Sequence, residues 1–481
     1  MTLTDVIRSF FKGIARSRVS LIGAMITTVV FPFLLGSIII DMFGMIENPY
    51  FGFAIYMIMG PTFIAGLVMV FLGLFFFKGK EEVRLFTLEY LRNHFTDQVG
   101  FNRLRKIIFV GVFLTCVNLF IFGLLGYSGY HYMESVSFCG QFCHTVMNPE
   151  YTAYKNSPHS RVTCVECHIG SGAQWFVKSK ISGTRQLVAV ALDTYPRPIK
   201  TPVHGLRPAR DTCEECHRPE KFHGDKLVVK EKFLEDEENT QVKTVLLMKI
   251  GTAGDRAVSS HGIHWHVAPE NSITYRSATY ERMIIPEVTL NRADGSQIVY
   301  RTSDAEELLA QTEGEVRAMD CIDCHNRPSH IYLPAGKAID NKILSGEIPV
   351  SLPFIKKKAM EVVAPPYASQ AEAKVAIAEA LNSWYQENYP DLVREQSKDL
   401  EDAIRGVQAA YAENVFPEMN IEWGTYTSHI GHDEDLGCFR CHDEEHQSDS
   451  GEAISMDCDT CHTILAEEEE NPAILKELRG E

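Results

Sequence analysis

Six times the chain sets two cysteines close together and follows the second at once with a histidine: Cys139/Cys143-His144, Cys164/Cys167-His168, Cys213/Cys216-His217, Cys321/Cys324-His325, Cys438/Cys441-His442 and Cys458/Cys461-His462. Twelve of the thirteen cysteines are used in this way. Two thiols at that spacing reach the vinyl groups of one porphyrin while the adjoining imidazole reaches its iron, which is the c-type haem attachment pattern. Zinc sites and disulfides also use close cysteine pairs, but neither needs a histidine fixed after the second thiol, and six such pairs argue against both. The first motif, CGQFCH, has three residues between its thiols where the others have two. The expectation is six covalent haems c with proximal His144, His168, His217, His325, His442 and His462, in a domain whose apolar core is mainly porphyrin.

The N-terminal part is a different material. Val19 to Ile40, Phe51 to Phe77 and Ile107 to Tyr127 are apolar runs, each long enough at 1.5 Å per residue to cross about 30 Å of hydrocarbon. Residues 1–128 therefore read as a membrane anchor with three transmembrane helices at about 19–41, 51–77 and 107–127. Pro32 interrupts the first, and Gly60-Pro61 predicts a kink in the second. No small-residue cleavage site follows the first run, so it reads as an uncleaved signal anchor.

Basic residues set the orientation. Residues 1–18 carry Arg8, Lys12, Arg16 and Arg18 against Asp5, and residues 78–106 carry seven basic against four acidic residues. The positive-inside rule puts both in the cytoplasm and everything after Tyr127 outside, in the periplasm of a bacterial inner membrane. All six motifs then lie where covalent haem attachment occurs. That outer part holds 35 basic and 56 acidic residues, a net of −21. Such acidity repels nucleic acid and steers toward basic patches on a soluble carrier, although solubility alone would also account for it. The run Glu467 to Glu470 reads as a solvated helix or frayed end.

Motif spacing organises the remainder. Residues 129–225 hold three closely spaced motifs. Residues 226–320 contain alternating runs such as SITYRSATYERMIIPEVTLNRADGSQIVYRT, with Asp294-Gly295 as a turn, and read as a small β insertion. Residues 321–481 carry the last three motifs and helical stretches such as SQAEAKVAIAEALNSWYQENY. The fold class expected is a membrane-anchored multihaem cytochrome c: three spans, then a mostly α, haem-packed domain with a small β insertion.

The stretches FCGQFCHTVMNPEYTAYKNSPHSRVTCVECHIG, WFVKSKISGTRQ and YPRPIKTPVHGLRPARDTCEECHRPEKF resemble the NapC/NirT family of membrane-anchored, quinol-oxidising cytochromes c, over roughly Ser135 to Phe222. With three spans and extra haem motifs the chain is similar to the larger inner-membrane members of the ImcH type, whereas most of the family has one span and four haems. The resemblance implies that Met147 binds the first iron, leaving His144 a bystander, and that His159 and His204 are second axial ligands. It implies quinol-contacting cations at Lys178 and Lys180. A family carboxylate is matched here by Gln186, so that Asp193 or a haem propionate would take the proton.

The histidine inventory stands without the family. Eleven histidines lie outside the motifs and the cytoplasmic loop: His131, His159, His204, His223, His261, His264, His266, His330, His429, His432 and His446. That is enough to give each iron a second ligand. Distal candidates are His159, His204, His330 and His446, which sit beside motifs, with His264 and His432. The GIHWH run leaves open whether one or two of its histidines bind iron.

Cys116, alone inside the third span, reads as a buried small apolar residue. The spans hold no histidine, so a bis-histidine haem within the membrane is not expected, and quinol oxidation and electron exit fall on the same outer side. The leading reading is a quinol dehydrogenase that draws on the membrane quinol pool, menaquinol or ubiquinol, and passes electrons to periplasmic c-type cytochromes or a terminal reductase, toward extracellular acceptors. An electron-transfer anchor subunit of a partner reductase, or a quinone reductase running in reverse, would use the same residues. A terminal reductase would need an open iron position, and no CxxCK motif is present.

Overall fold

A backbone in hydrocarbon must satisfy its own hydrogen bonds, so apolar runs of this length become helices. The computed structural model describes residues 17–42, 49–75, 98–170, 173–203, 205–218, 224–251, 262–268, 271–292, 294–311, 316–432 and 435–480. It divides into two units, Met1–His144 and Thr145–Glu481.

In the first unit, α1 (Arg18–Met42) runs unbroken through Pro32. The second span starts at Pro49–Phe53, widens into a π-helical stretch at Ala54–Met59 and continues as α2 (Gly60–Phe75). The break predicted at Gly60-Pro61 is this π turn, in which the Gly60 N–H donates to the Ile55 carbonyl five residues back. The third helix is α3 (Gln98–Glu134), which contains a stretch long and apolar enough to span a membrane. It ends where Ser135 caps the next short helix by accepting from the Phe138 N–H at 3.1 Å.

Small residues let α1 and α2 approach closely: a Cβ on Gly23 would lie 2.6 Å from the Gly66 carbonyl oxygen. Ser20 Oγ also donates across to the Val70 carbonyl at 3.1 Å. Leu34, Ile38, Ile55, Tyr56, Phe63, Ile121 and Leu125 form the shared core, while Phe33, Phe71, Phe109 and Phe120 face outward as lipid-facing rings would. Cys116 corrects the sequence reading. It lies on the exposed face of its span, because apolar residues on a membrane helix need no burial in protein.

The second unit opens with α4 (His144–Lys155), α5 (Cys164–His168), α6 (Ala173–Ala191) and α7 (Ala209–Cys213). Six strands follow: β1 (Asp225–Phe233), β2 (Gln241–Lys249), β3 (Ser272–Arg276), β4 (Glu287–Asn291), β5 (Gln297–Arg301) and β6 (Val316–Ala318). Asp294-Gly295 makes the β4–β5 turn, with Gly295 at φ +84° and the Asp294 carboxylate accepting from Ser296 N and Oγ. After α8 (Cys321–Cys324) come α9 (Ala335–Leu344), α10 (Ile355–Val363), α11 (Gln370–Asn388) and α12 (Ser397–Asn414). Two late strands, β7 (Gln447–Ser448) and β8 (His462–Glu469), complete antiparallel sheets ordered β1-β2-β8 and β6-β3-β4-β5-β7.

Two expectations are corrected here. Glu467 to Glu469 belong to β8 rather than to a helix or frayed end, since Lys243 on β2 stands opposite Glu469 and Lys232 on β1 pairs with Glu468 at 2.5 Å. The core is also more conventional than a haem-packed domain requires. Ile339, Ile348, Leu352, Ile355, Ile377, Leu381, Tyr385 and Val407 are fully buried in a cluster built from α9 to α12, with no motif cysteine in it. Their spacing along amphipathic helices buries one face of each. Asp340 ties this helical unit to the sheet, accepting from the Phe233 N–H at 3.2 Å and from buried Lys356 at 2.6 Å.

Candidate haem centres

Each motif lies on or beside a short turn of helix, and several of these turns are capped by side chains. α5 is entered through a capping box of Thr163 and Glu166, and α8 through one of Asp320 and Asp323. One helical turn places two thiols and the following imidazole on adjoining positions, so these caps fix where each porphyrin edge attaches.

The histidine rings test whether iron fits. Metal–nitrogen bonds of about 2.0–2.1 Å on either side, plus roughly 1 Å from each nitrogen to its ring centre, put two imidazoles sharing an iron about 6 Å apart, centre to centre. The structure holds four such pairs: His168 with His330 at 6.0 Å, His217 with His159 at 6.1 Å, His442 with His266 at 5.8 Å and His462 with His432 at 6.0 Å. Burial, then the charge of His264, depresses the His325 imidazole. Four motif histidines thus each face a second one.

Protonation agrees with ligation. Burial pushes His168, His266, His325 and His462 below the ordinary imidazole range, which keeps the neutral ring with its metal-binding lone pair. The outer nitrogens are also set. Ring Nδ1 of His159 faces the Pro328 carbonyl at 3.1 Å, His264 that of Ile250 at 2.6 Å, His266 that of Ile263 at 2.8 Å and His330 that of Glu150 at 3.0 Å. A donor bond at Nδ1 fixes the tautomer and leaves Nε2 for a metal. His330 has an additional holder, the Glu150 carboxylate at 3.0 Å, both of whose oxygens accept from Arg327 Nη2. The residues present fit bis-histidine haem c.

Successive motifs are also neighbours. Cys167 lies within electrostatic reach of Cys216, Cys213 of Cys321, Cys324 of Cys438 and Cys438 of Cys461. Motifs two to six therefore follow one another in space in sequence order.

Between motifs four and five sits a buried ion cluster that sequence reasoning missed. Asp323 is 2% exposed. Its carboxylate accepts from Tyr275 Oη at 2.6 Å, Arg282 at 3.0 Å, Arg317 at 3.1 Å and the Asp320 N–H at 2.7 Å, while Arg440 of motif five donates to its carbonyl at 2.6 Å. Burial and the neighbouring carboxylate push the Tyr275 phenol up and keep it a donor. Burial, then Arg440, lowers His429 to about 4, a neutral ring whose Nδ1 has no partner among the described residues.

Not every sequence candidate stands in this row. His446, expected as a distal ligand, has Nδ1 on the Asp443 carboxylate at 2.9 Å and Nε2 on the Ile285 carbonyl at 2.6 Å, so both nitrogens are spent on protein oxygens. Proximity in sequence to motif five misled. His204, like His223 and His261, lies outside the described residues, as does the side chain of His144. His266 was left open by sequence, and its ring lies 5.8 Å from that of His442. Its run forms a 3-10 helix, Ile263–Val267, whose three residues per turn point positions two apart in different directions, so the rings of His264 and His266 face different ways.

Met147 is half-buried one turn into α4. Lys178 and Lys180 lie on α6 with their ammonium groups over the rings of Trp175 at 4.4 Å and Phe176 at 4.7 Å. Gln186 is exposed on the same helix and bonded to Ser182, and Asp193 just beyond it pairs with Arg197 at 2.5 Å.

Apolar spans joined to motif cysteines and paired histidines define a membrane-anchored cytochrome c that binds haem c covalently. The NapC/NirT cytochrome c family model, N-terminal region, matches residues 102–202. The chain is 39% identical over 458 residues to the cytochrome c-type protein ImcH of Geobacter sulfurreducens, an alignment covering 94% of this chain and 89% of that one. It is 32% identical over 109 residues to the cytochrome c-type protein NrfH of Wolinella succinogenes, covering 22% and 61%. No solved structure matches the chain significantly. The chain belongs to the NapC/NirT cytochrome c family.

Proposed function

We propose that the chain is a quinol dehydrogenase of a bacterial inner membrane, oxidising quinol at the periplasmic face and delivering electrons to soluble periplasmic cytochromes or a reductase. The observation that carries this is the set of four facing histidine pairs at motifs two, three, five and six, C-terminal to three helices able to span a membrane. Haem c, when bound, supplies one-electron capacity at each motif. Six are proposed: His168/His330, His217/His159, His325/His264, His442/His266 and His462/His432 hold five, and Cys139/Cys143 with Met147 hold the first. Mass measurement of the intact chain is expected to show six porphyrins, and four or fewer would refute the assignment.

Each quinol releases two electrons and two protons. Lys178 and Lys180 are cations that would favour the anion left as the first proton departs. Gln186 has no proton affinity to offer, and Asp193 is available only when it parts from Arg197. Replacing both lysines with glutamine is expected to slow reduction by quinol at least tenfold while reduction by dithionite is unchanged. A normal quinol rate in that variant would rule out the site.

A further inference from the structure

Helix α6 carries an apolar stripe that nothing among the described residues of its unit covers. At 3.6 residues per turn, Val177, Ile181, Val188 and Leu192 fall within about 60° of arc. They are 55%, 68%, 53% and 68% exposed. The opposite side, with Trp175, Phe176, Ser179 and Val190, is partly buried. Lys178 and Arg185 border the stripe on one side and Lys180 on the other. Residues 173–192 include no acid, in an extracytoplasmic part that otherwise carries a large excess of acids.

We propose that α6 lies in the plane of the membrane interface, its stripe in the acyl boundary and its three cations among anionic lipid headgroups. An apolar arc bordered by cations is the pattern by which helices lie on a bilayer rather than cross it. The cation–ring contacts of Lys178 and Lys180 turn both stems along the helix, keeping the charges at its borders. Charge selects the occupant: a negatively charged lipid surface complements this helix, whereas the same helix of a second copy laid against it would bring cations against cations. Tethering agrees, because only 38 residues separate Glu134, the end of the third apolar span, from Ala173. This surface stands apart from the quinol reading, since it is present whether or not Lys178 and Lys180 touch quinol.

The test uses the full-length holoprotein in vesicles of phosphatidylcholine and phosphatidylglycerol. With the motif cysteines taken by haem, Cys116→Ser leaves no other thiol, and Ile181→Cys, Val188→Cys or Gln186→Cys then accepts a nitroxide label. Labels at 181 and 188 are expected to collide several-fold more with oxygen than with a water-soluble nickel chelate, with the reverse at 186. Equal nickel access at all three positions would overturn the proposal. So would dipolar broadening between labels on two copies, which would name a second chain as the occupant. An unchanged depth in pure phosphatidylcholine would overturn the role given to the cations. Quinol oxidation, assayed separately in detergent, can fail or succeed without altering any of these readings.

Discussion

Replacing His330 with alanine is expected to turn one low-spin, doubly ligated haem site high-spin while the others keep their spectra. His330 stands 6.0 Å from His168, and its Nδ1 is held by the Glu150 carbonyl and carboxylate, so its Nε2 is the free metal-binding atom. His446→Ala is the control, because both nitrogens of His446 are already bound to protein oxygens. If His330→Ala leaves the spectrum untouched, or His446→Ala produces a high-spin signal, the pairing is wrong. A finer consequence follows from Glu150. A carboxylate behind the ligand makes the imidazole a stronger electron donor and favours the ferric state. Glu150→Gln should therefore raise the potential of that site alone.

Asp323→Ala should cause the largest loss of stability, about 3–5 kcal/mol, the usual cost of removing one partner from a buried charged group. The substitution strips a single acceptor from Tyr275, Arg282 and Arg317 at once. It also removes half of the capping box that starts α8. Asp320→Ala is expected to cost roughly 1 kcal/mol, because that carboxylate is more exposed and bonds fewer partners. The shift of the guanidinium midpoint measures both, with haem content checked beforehand so that lost attachment is not mistaken for lost stability. Equal midpoints for Asp323→Ala and the unaltered chain would show that the cluster contributes nothing.

Much of this was legible because its signals are local. A thiol pair and the next histidine are read within five or six residues, and a span is read from an apolar run. The β4–β5 turn follows from Asp294-Gly295, since glycine alone takes φ +84° without strain. Family resemblance added His159, whose ring does face His217. The misses have a shared cause. His446 looked like a ligand because it lies four residues after His442, yet loop curvature turns it onto Asp443 and Ile285. Glu467 to Glu469 are solvated as charge runs usually are, but strand partners more than two hundred residues away made them part of a sheet rather than a helix or frayed end.

By itself the sequence determined the chemistry and the material of each part: which cysteines and histidines could hold haem, which helices can enter lipid, and the acidity of the C-terminal part. Covalent attachment and hydrophobic length depend on neighbours in the chain, so no fold is needed to read them. Only the tertiary structure decided the partners. Which imidazole faces which motif, which thiols stand side by side, why three arginines converge on Asp323 and which face of α6 stays uncovered are matters of contact between distant residues. Those contacts are set by packing and by the satisfaction of buried polar groups, for which a linear sequence carries no local mark.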